Sequence, residues 1–138
     1  MSPENVEIVK VNFDLWNAGD MDAWRKLFDP DGIMRNPEGW PEPGPQVGRD
    51  AVMHFLQQLR DTWDADALEV ISDYADVGDR VAVRFIWHGA GSGPDADLEM
   101  TGVYTVRKGK IVLLEFFWDH AEALEAVGLS EQDVHADS

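Results

Sequence analysis

Apolar residues recur at helical spacing near the start of the chain. Val6, Val9, Phe13 and Trp16 share one face of a helix that Ser2-Pro3-Glu4 opens, with serine as N-cap, proline at the first position and an acid in the first turn. Asn17-Ala18-Gly19 ends it. Asp20 caps a second, short helix with Trp24, Leu27 and Phe28 on one side. Asp29-Pro30-Asp31-Gly32 reads as a turn, and Ile33 to Asn36 as a short strand stopped by Pro37. After a proline- and glycine-rich loop from Glu38 to Gly48, a third helix follows, capped by Asp50, with Val52, Phe55, Leu56 and Leu59 as its apolar side. From there the period falls to two. Strands are predicted over 68–77, 80–89, 98–107 and 110–119, with hairpin-like turns at Gly78-Asp79 and Lys108-Gly109. Ala121 to Val127 forms a last short helix ended by Gly128, and the polar tail over 129–138 frays.

Helices first and strands afterwards predict an α+β domain over 1–138, with three N-terminal helices packed on a mainly antiparallel sheet. In the strand over 80–89, Val81, Val83, Phe85 and Trp87 alternate with Ala82, Arg84, Ile86 and His88, and the first set faces inward. The last strand is apolar on both faces, with Leu114, Phe116 and Trp118 inside and Leu113 and Phe117 outside. A strand apolar on both sides is covered on both. The expected cover is a second copy of the chain, a homodimer through the outer sheet face centred on Leu113 and Phe117, with Arg84, Glu115 and His88 at its rim. The alternative is a C-terminal segment folded back over Phe117.

Charge narrows the partners. Eleven Lys and Arg stand against 27 Asp and Glu, for a formal charge of −16, which disfavours nucleic acid, anionic membrane surfaces and polyanionic substrates. No apolar run approaches the roughly 20 residues of a membrane helix, and the first ten residues lack the pattern of a signal peptide. The absence of cysteine excludes disulfides, cysteine-ligated zinc and a thiol nucleophile, and fits a cytoplasmic setting. His54, His88, His120 and His135 have no metal-ligand spacing, and no cofactor is expected. The Gly-rich run over 89–93 opens no helix, so it reads as a hairpin loop rather than a phosphate cradle. Six tryptophans remain, each with an N–H that needs a partner if buried.

Several segments resemble a known family. Asn17-Ala18-Gly19-Asp20-Met21-Asp22-Ala23-Trp24 with Leu27-Phe28-Asp29-Pro30-Asp31-Gly32 looks like the opening of ketosteroid-isomerase and SnoaL-like chains. Gly48-Arg49-Asp50-Ala51-Val52 resembles their third-helix entry, Tyr104-Thr105-Val106 with Gly109-Lys110-Ile111 their hairpin, and Ala123-Leu124-Glu125-Ala126-Val127-Gly128-Leu129 their closing motif. The resemblance implies a nuclear transport factor 2-like cone, helices closed by a curved sheet around a ligand, and a homodimer through the sheet's outer face.

Carried over position by position, the family's catalytic groups are missing. The isomerases' general-base aspartate falls at Asn36, which takes up no proton at neutral pH. Their oxyanion-hole tyrosine falls at Asn12, and the protonated aspartic acid at or near Gly102. The resemblance to limonene-epoxide hydrolases keeps only the asparagine, at Asn36. The arginine and the first aspartate of the relay fall at Phe85 and Trp87, its last aspartate at Phe116, and the tyrosine at Met34.

What remains is a predicted apolar box: Trp16, Met34, Trp40, Phe55, Val83, Phe85, Trp87, Met100, Leu114, Phe116 and Trp118, with Asn12, Asn36 and Tyr104 as polar members. The alternative is that these side chains fill the cone. Catalytic candidates are Asn36, Tyr104, Asp119 (beside His120) and the loop acids Glu38 and Glu42. Two functions fit: a cofactor-independent isomerase, cyclase or dehydratase acting on a small apolar molecule, or a binding or dimerisation domain without turnover.

Overall fold

The computed structural model describes residues 3–40, 44–63, 65–91 and 93–129. The Ser2 cap, Glu42, Ser92, His135 and the tail over 130–138 lie outside the described residues. The elements are α1 (Pro3–Ala18), α2 (Met21–Leu27), β1 (Phe28–Arg35), β2 (Gln46–Val47), α3 (Arg49–Thr62), β3 (Ala65–Val70), β4 (Ala75–Val77), β5 (Arg80–Ala90), β6 (Ala96–Arg107), β7 (Lys110–Phe117) and α4 (His120–Ala126). The sheet order is β2-β1-β7-β6-β5-β3, with β4 also on β5. β1 and β7 run parallel and the other neighbours antiparallel. This is the expected α+β architecture, helices on a curved, unclosed mixed sheet.

Three local expectations are corrected. The turn at Asp29–Gly32 lies inside β1 as a bulge: Phe28 pairs with Ile111 and the ladder resumes only at Ile33 with Leu113. Gly32 is required there, because a Cβ would stand 2.3 Å from the Phe28 ring. Asp50 does not cap α3. Gly48 holds that position at φ +93, and Asp50, in the first turn, pairs with Arg25 at 2.6 Å, tying α3 to α2. Finally, the strand expected over 68–77 is two strands. The Arg84 N–H of β5 donates to the Ser72 hydroxyl at 2.9 Å instead of to a strand carbonyl, and the ladder breaks there.

The main core lies between α1–α3 and the inner sheet face, where Val9, Phe13, Trp24 and Phe28 meet Val81, Val83, Phe85 and Tyr104. The alternation read from β5 holds. Part of the outer face is covered within the chain. α4 packs there, and its Ala123 and Leu124, with Val127 just beyond, bury Ala82 and Val103 and shelter Phe117. Each fully buried Leu or Val contributes roughly 1.5–3 kcal/mol. Arg80 donates to the Ala126 carbonyl at 2.9 Å and closes the C-terminal end of α4. The two-sided apolar character of β7 is therefore met, over Phe117, by the chain's own C-terminal helix.

Beyond α4 the outer face carries charged side chains paired within the chain. Arg84 bonds Glu99, and His88 sits between Glu69 at 2.8 Å and Asp97 at 2.6 Å, linking β3, β5 and β6. Hydrogen bonds from those carboxylates, Glu69 first, raise the His88 imidazole above its ordinary 6.5. A raised folded-state value means that the stabilisation is complete below the unfolded value and disappears as pH rises through the folded one. Thermal midpoints should accordingly fall as pH increases from 6.5 upward, and His88→Gln should flatten that part of the profile; an unchanged slope in the variant would exclude this cluster as its source.

Candidate functional site

Helices and sheet do not close completely on each other. Between them lies a cavity of about 80 Å³, several times the ~10–15 Å³ that one water needs. α1 gives Asn12 and Trp16, α2 gives Trp24, and α3 gives Phe55, Leu56 and Leu59. The sheet gives Leu68, Phe85, Trp87, Met100, Tyr104, Leu114 and Phe116, and the end of β1 with its loop gives Asn36, Pro37 and Trp40. Three expected members are elsewhere. Met34 and Val83 point inward but are sealed in packed core at 0% exposure, and Trp118 lies outside at 44%. Trp24, Pro37, Leu56, Leu59 and Leu68 were not foreseen in the wall. Leu56 and Leu59 carried a signal, since they share the apolar side of α3 with Phe55.

The polar centre of the cavity is a chain of three side chains. The Trp24 indole donates to the Asn12 carbonyl oxygen at 2.6 Å, and the Asn12 amide nitrogen donates to the Tyr104 hydroxyl at 3.2 Å. An indole only donates, so it fixes which way the Asn12 amide faces. The Tyr104 oxygen then accepts, and among the described residues its own proton meets no acceptor. Burial drives the Tyr104 phenol well above its ordinary 10.0, and the Asn12 hydrogen bond offsets part of this. The group is a neutral donor throughout the physiological range.

Gly102 makes room for it. A Cβ at 102 would lie 2.9 Å from Tyr104 Cε1 and 3.3 Å from its hydroxyl. The position that family resemblance assigns to a protonated acid is thus filled by the phenol two residues along the same strand face. Asn12 supports that phenol.

One wall is held from behind by an aspartate that sequence reasoning missed. Asp66 Oδ2 accepts from the Trp16 indole at 2.9 Å and the Trp87 indole at 3.0 Å. Arg60 stands 3.6 Å from the same carboxylate, which is only 5% exposed. The Arg60 guanidinium also lies over the Trp16 ring, 4.6 Å from its centroid. In sequence Asp66 is one acid among many.

At the mouth, Trp40 stacks on Trp118, with centroids 6.1 Å apart, and the Trp118 indole donates to the Glu38 carbonyl at 2.7 Å. The other catalytic candidates lie outside the cavity wall. The Glu38 side chain is exposed. Asp119 caps α4 through the Ala121 N–H at 2.8 Å, and His120 meets the Thr101 hydroxyl at 2.8 Å. Among the described residues, no Asp, Glu, His, Lys or Arg lines the cavity, and no group of three or more His, Cys, Asp or Glu could hold a metal ion. No described helix is long and apolar enough to cross a membrane.

A family model described as SnoaL-like domain matches residues 9–114. No curated protein sequence matches the chain. Among solved structures, TerC co-crystallised with polyporic acid is similar at a TM-score of 0.74 and 22% identity, covering 90% of this chain and 97% of that one. A nuclear transport factor 2-like protein of unknown function from Burkholderia pseudomallei has a TM-score of 0.75 and 21% identity, over 93% and 99% of the two chains. A SnoaL-like polyketide cyclase candidate from Jannaschia sp. CCS1 has a TM-score of 0.72 and 22% identity, over 92% and 95%.

Three substitutions test the geometry. Asp66→Ala leaves two indole donors without their acceptor and Arg60 without its ion-pair partner and should cost about 3–5 kcal/mol in urea unfolding; Asp66→Asn, which keeps an acceptor, should cost clearly less. Gly102→Ala should displace the Tyr104 ring and change its near-ultraviolet dichroism; an unaltered spectrum would count against the close packing of the two residues.

Proposed function

We propose, for a chain that belongs to the SnoaL-like domain family, that the cavity receives a small, flat, apolar molecule bearing a carbonyl-type oxygen, and that its function is to bind that molecule. One observation carries the reading: the buried Tyr104 hydroxyl, supported by Asn12, keeps a proton with no acceptor among the described residues. A ketone oxygen, which only accepts, is the complement of such a donor. The aromatic and aliphatic walls bury the rest of the molecule, at about 25 cal/mol per Å² of apolar surface. Proton transfer would need an acid and a base within reach of the ligand, and the described wall offers neither a carboxylate nor an imidazole.

A second reading is a cofactor-independent isomerase or cyclase of SnoaL-like type. The same hydroxyl favours it, since a donor held in place is what stabilises an oxygen gaining negative charge during enolisation or ring closure. Walls that hold a flexible substrate folded would add to the rate. The fold shared with a polyketide cyclase candidate supports this reading.

Calorimetric titration with acetophenone checks the binding reading. Tyr104→Phe should weaken binding about tenfold, the loss of one hydrogen bond. Affinity should also stay level from about pH 6 to about pH 9, because the hydroxyl remains protonated there. Equal binding by wild type and variant would end the proposal. Conversion of a β,γ-unsaturated ketone to its conjugated isomer, abolished in Tyr104→Phe, would move the assignment to the enzyme.

A further inference from the structure

Outside the cavity mouth lies a groove of about 390 Å³, and four side chains, Trp40, Phe55, Leu59 and Trp87, line both spaces. The remaining groove wall is Gly39, Gln58, Thr62, Trp63, Ala96, Leu98 and Trp118, with no charged residue among them. On a chain of net charge −16, that is an uncharged, aromatic-rich patch beside the mouth of an internal cavity. Trp63 packs edge-on against Trp87 at 5.0 Å, and Trp118 presents a large exposed ring on the far side. The boundary carries a second signal. The Trp40 indole N–H is buried and meets no acceptor among the described residues. A buried donor without a partner costs about 1–3 kcal/mol, which an oxygen on a molecule passing beside it would relieve.

We propose that cavity and groove are two halves of one site for an elongated aromatic ketone. Its oxygen-bearing ring lies inside against Tyr104, and a second flat ring lies outside among Trp63, Leu98 and Trp118. The inference rests on the binding reading above and extends it to the length and polarity of the ligand. Continuity decides the occupant. The groove shares four walls with the cavity, so one molecule with a polar end and an uncharged apolar body fits both better than a charged peptide or a polar chain. The cavity alone is too small for such a body, and the groove alone offers few polar points to orient one.

The test uses a pair of probes differing by one ring, acetophenone and 4-acetylbiphenyl, titrated into wild type, Thr62→Phe and Gln58→Phe. Both substituted residues line the groove and not the cavity, and both are exposed on α3, where a larger side chain is tolerated. Wild type should bind 4-acetylbiphenyl at least about tenfold more tightly than acetophenone, from the added apolar burial. Each substitution should remove that gain and leave acetophenone affinity unchanged. Equal affinity of wild type for the two probes overturns the proposal. So does a gain that survives both substitutions, which would place the second ring elsewhere, or one lost together with acetophenone binding. The reading it rests on fails separately, by acetophenone affinity that ignores Tyr104→Phe.

Discussion

An indole N–H donates one hydrogen bond and accepts none, and when buried it must find an acceptor. That constraint arranges the interior of this protein. The Trp24 indole takes the Asn12 oxygen and so decides which end of the amide meets Tyr104. The Trp16 and Trp87 indoles converge on Asp66 and lock α1 to the β3–β5 edge of the sheet. The Trp118 indole takes the Glu38 carbonyl and fixes the segment after β1 over the mouth. Trp40 is the exception: its indole N–H meets no acceptor among the described residues, and it stands where the cavity meets the groove.

The same constraint explains how a carboxylate can sit behind an apolar wall. An isolated ionised Asp66 in that position would be costly. Two indole donors and the nearby Arg60 guanidinium compensate it, and the side chain becomes a fastener for two wall rings. The Trp16 and Trp87 rings of the cavity wall therefore have their polar edges tied to Asp66. What polarity remains inside is concentrated on Asn12, Asn36 and Tyr104.

The chain belongs to the SnoaL-like domain family, and two positions shape the polar centre of its cavity. A glycine at 102 removes one side chain and admits the phenol of Tyr104 into the vacated space. Asn12 supplies the amide that supports that phenol.

Much of this was legible along the chain. The 3.6-residue spacing of Val6, Val9, Phe13 and Trp16, the Asp20 cap and the period-two alternation of β5 are local rules, and local rules specify elements and their buried faces. Most of the cavity wall followed from those faces. Tertiary structure alone decided the rest. Asp66 acquires its role only when β3 brings it beneath two tryptophans from distant segments. Met34 and Val83 share the inward parity of the wall but lie where the packing leaves no space. Phe117 is covered by α4 because the chain turns back at Asp119, and no periodicity encodes where a returning helix lands. Sequence determines which side chains face inward; where the inward faces fail to meet, and so leave a cavity, depends on how the layers stack.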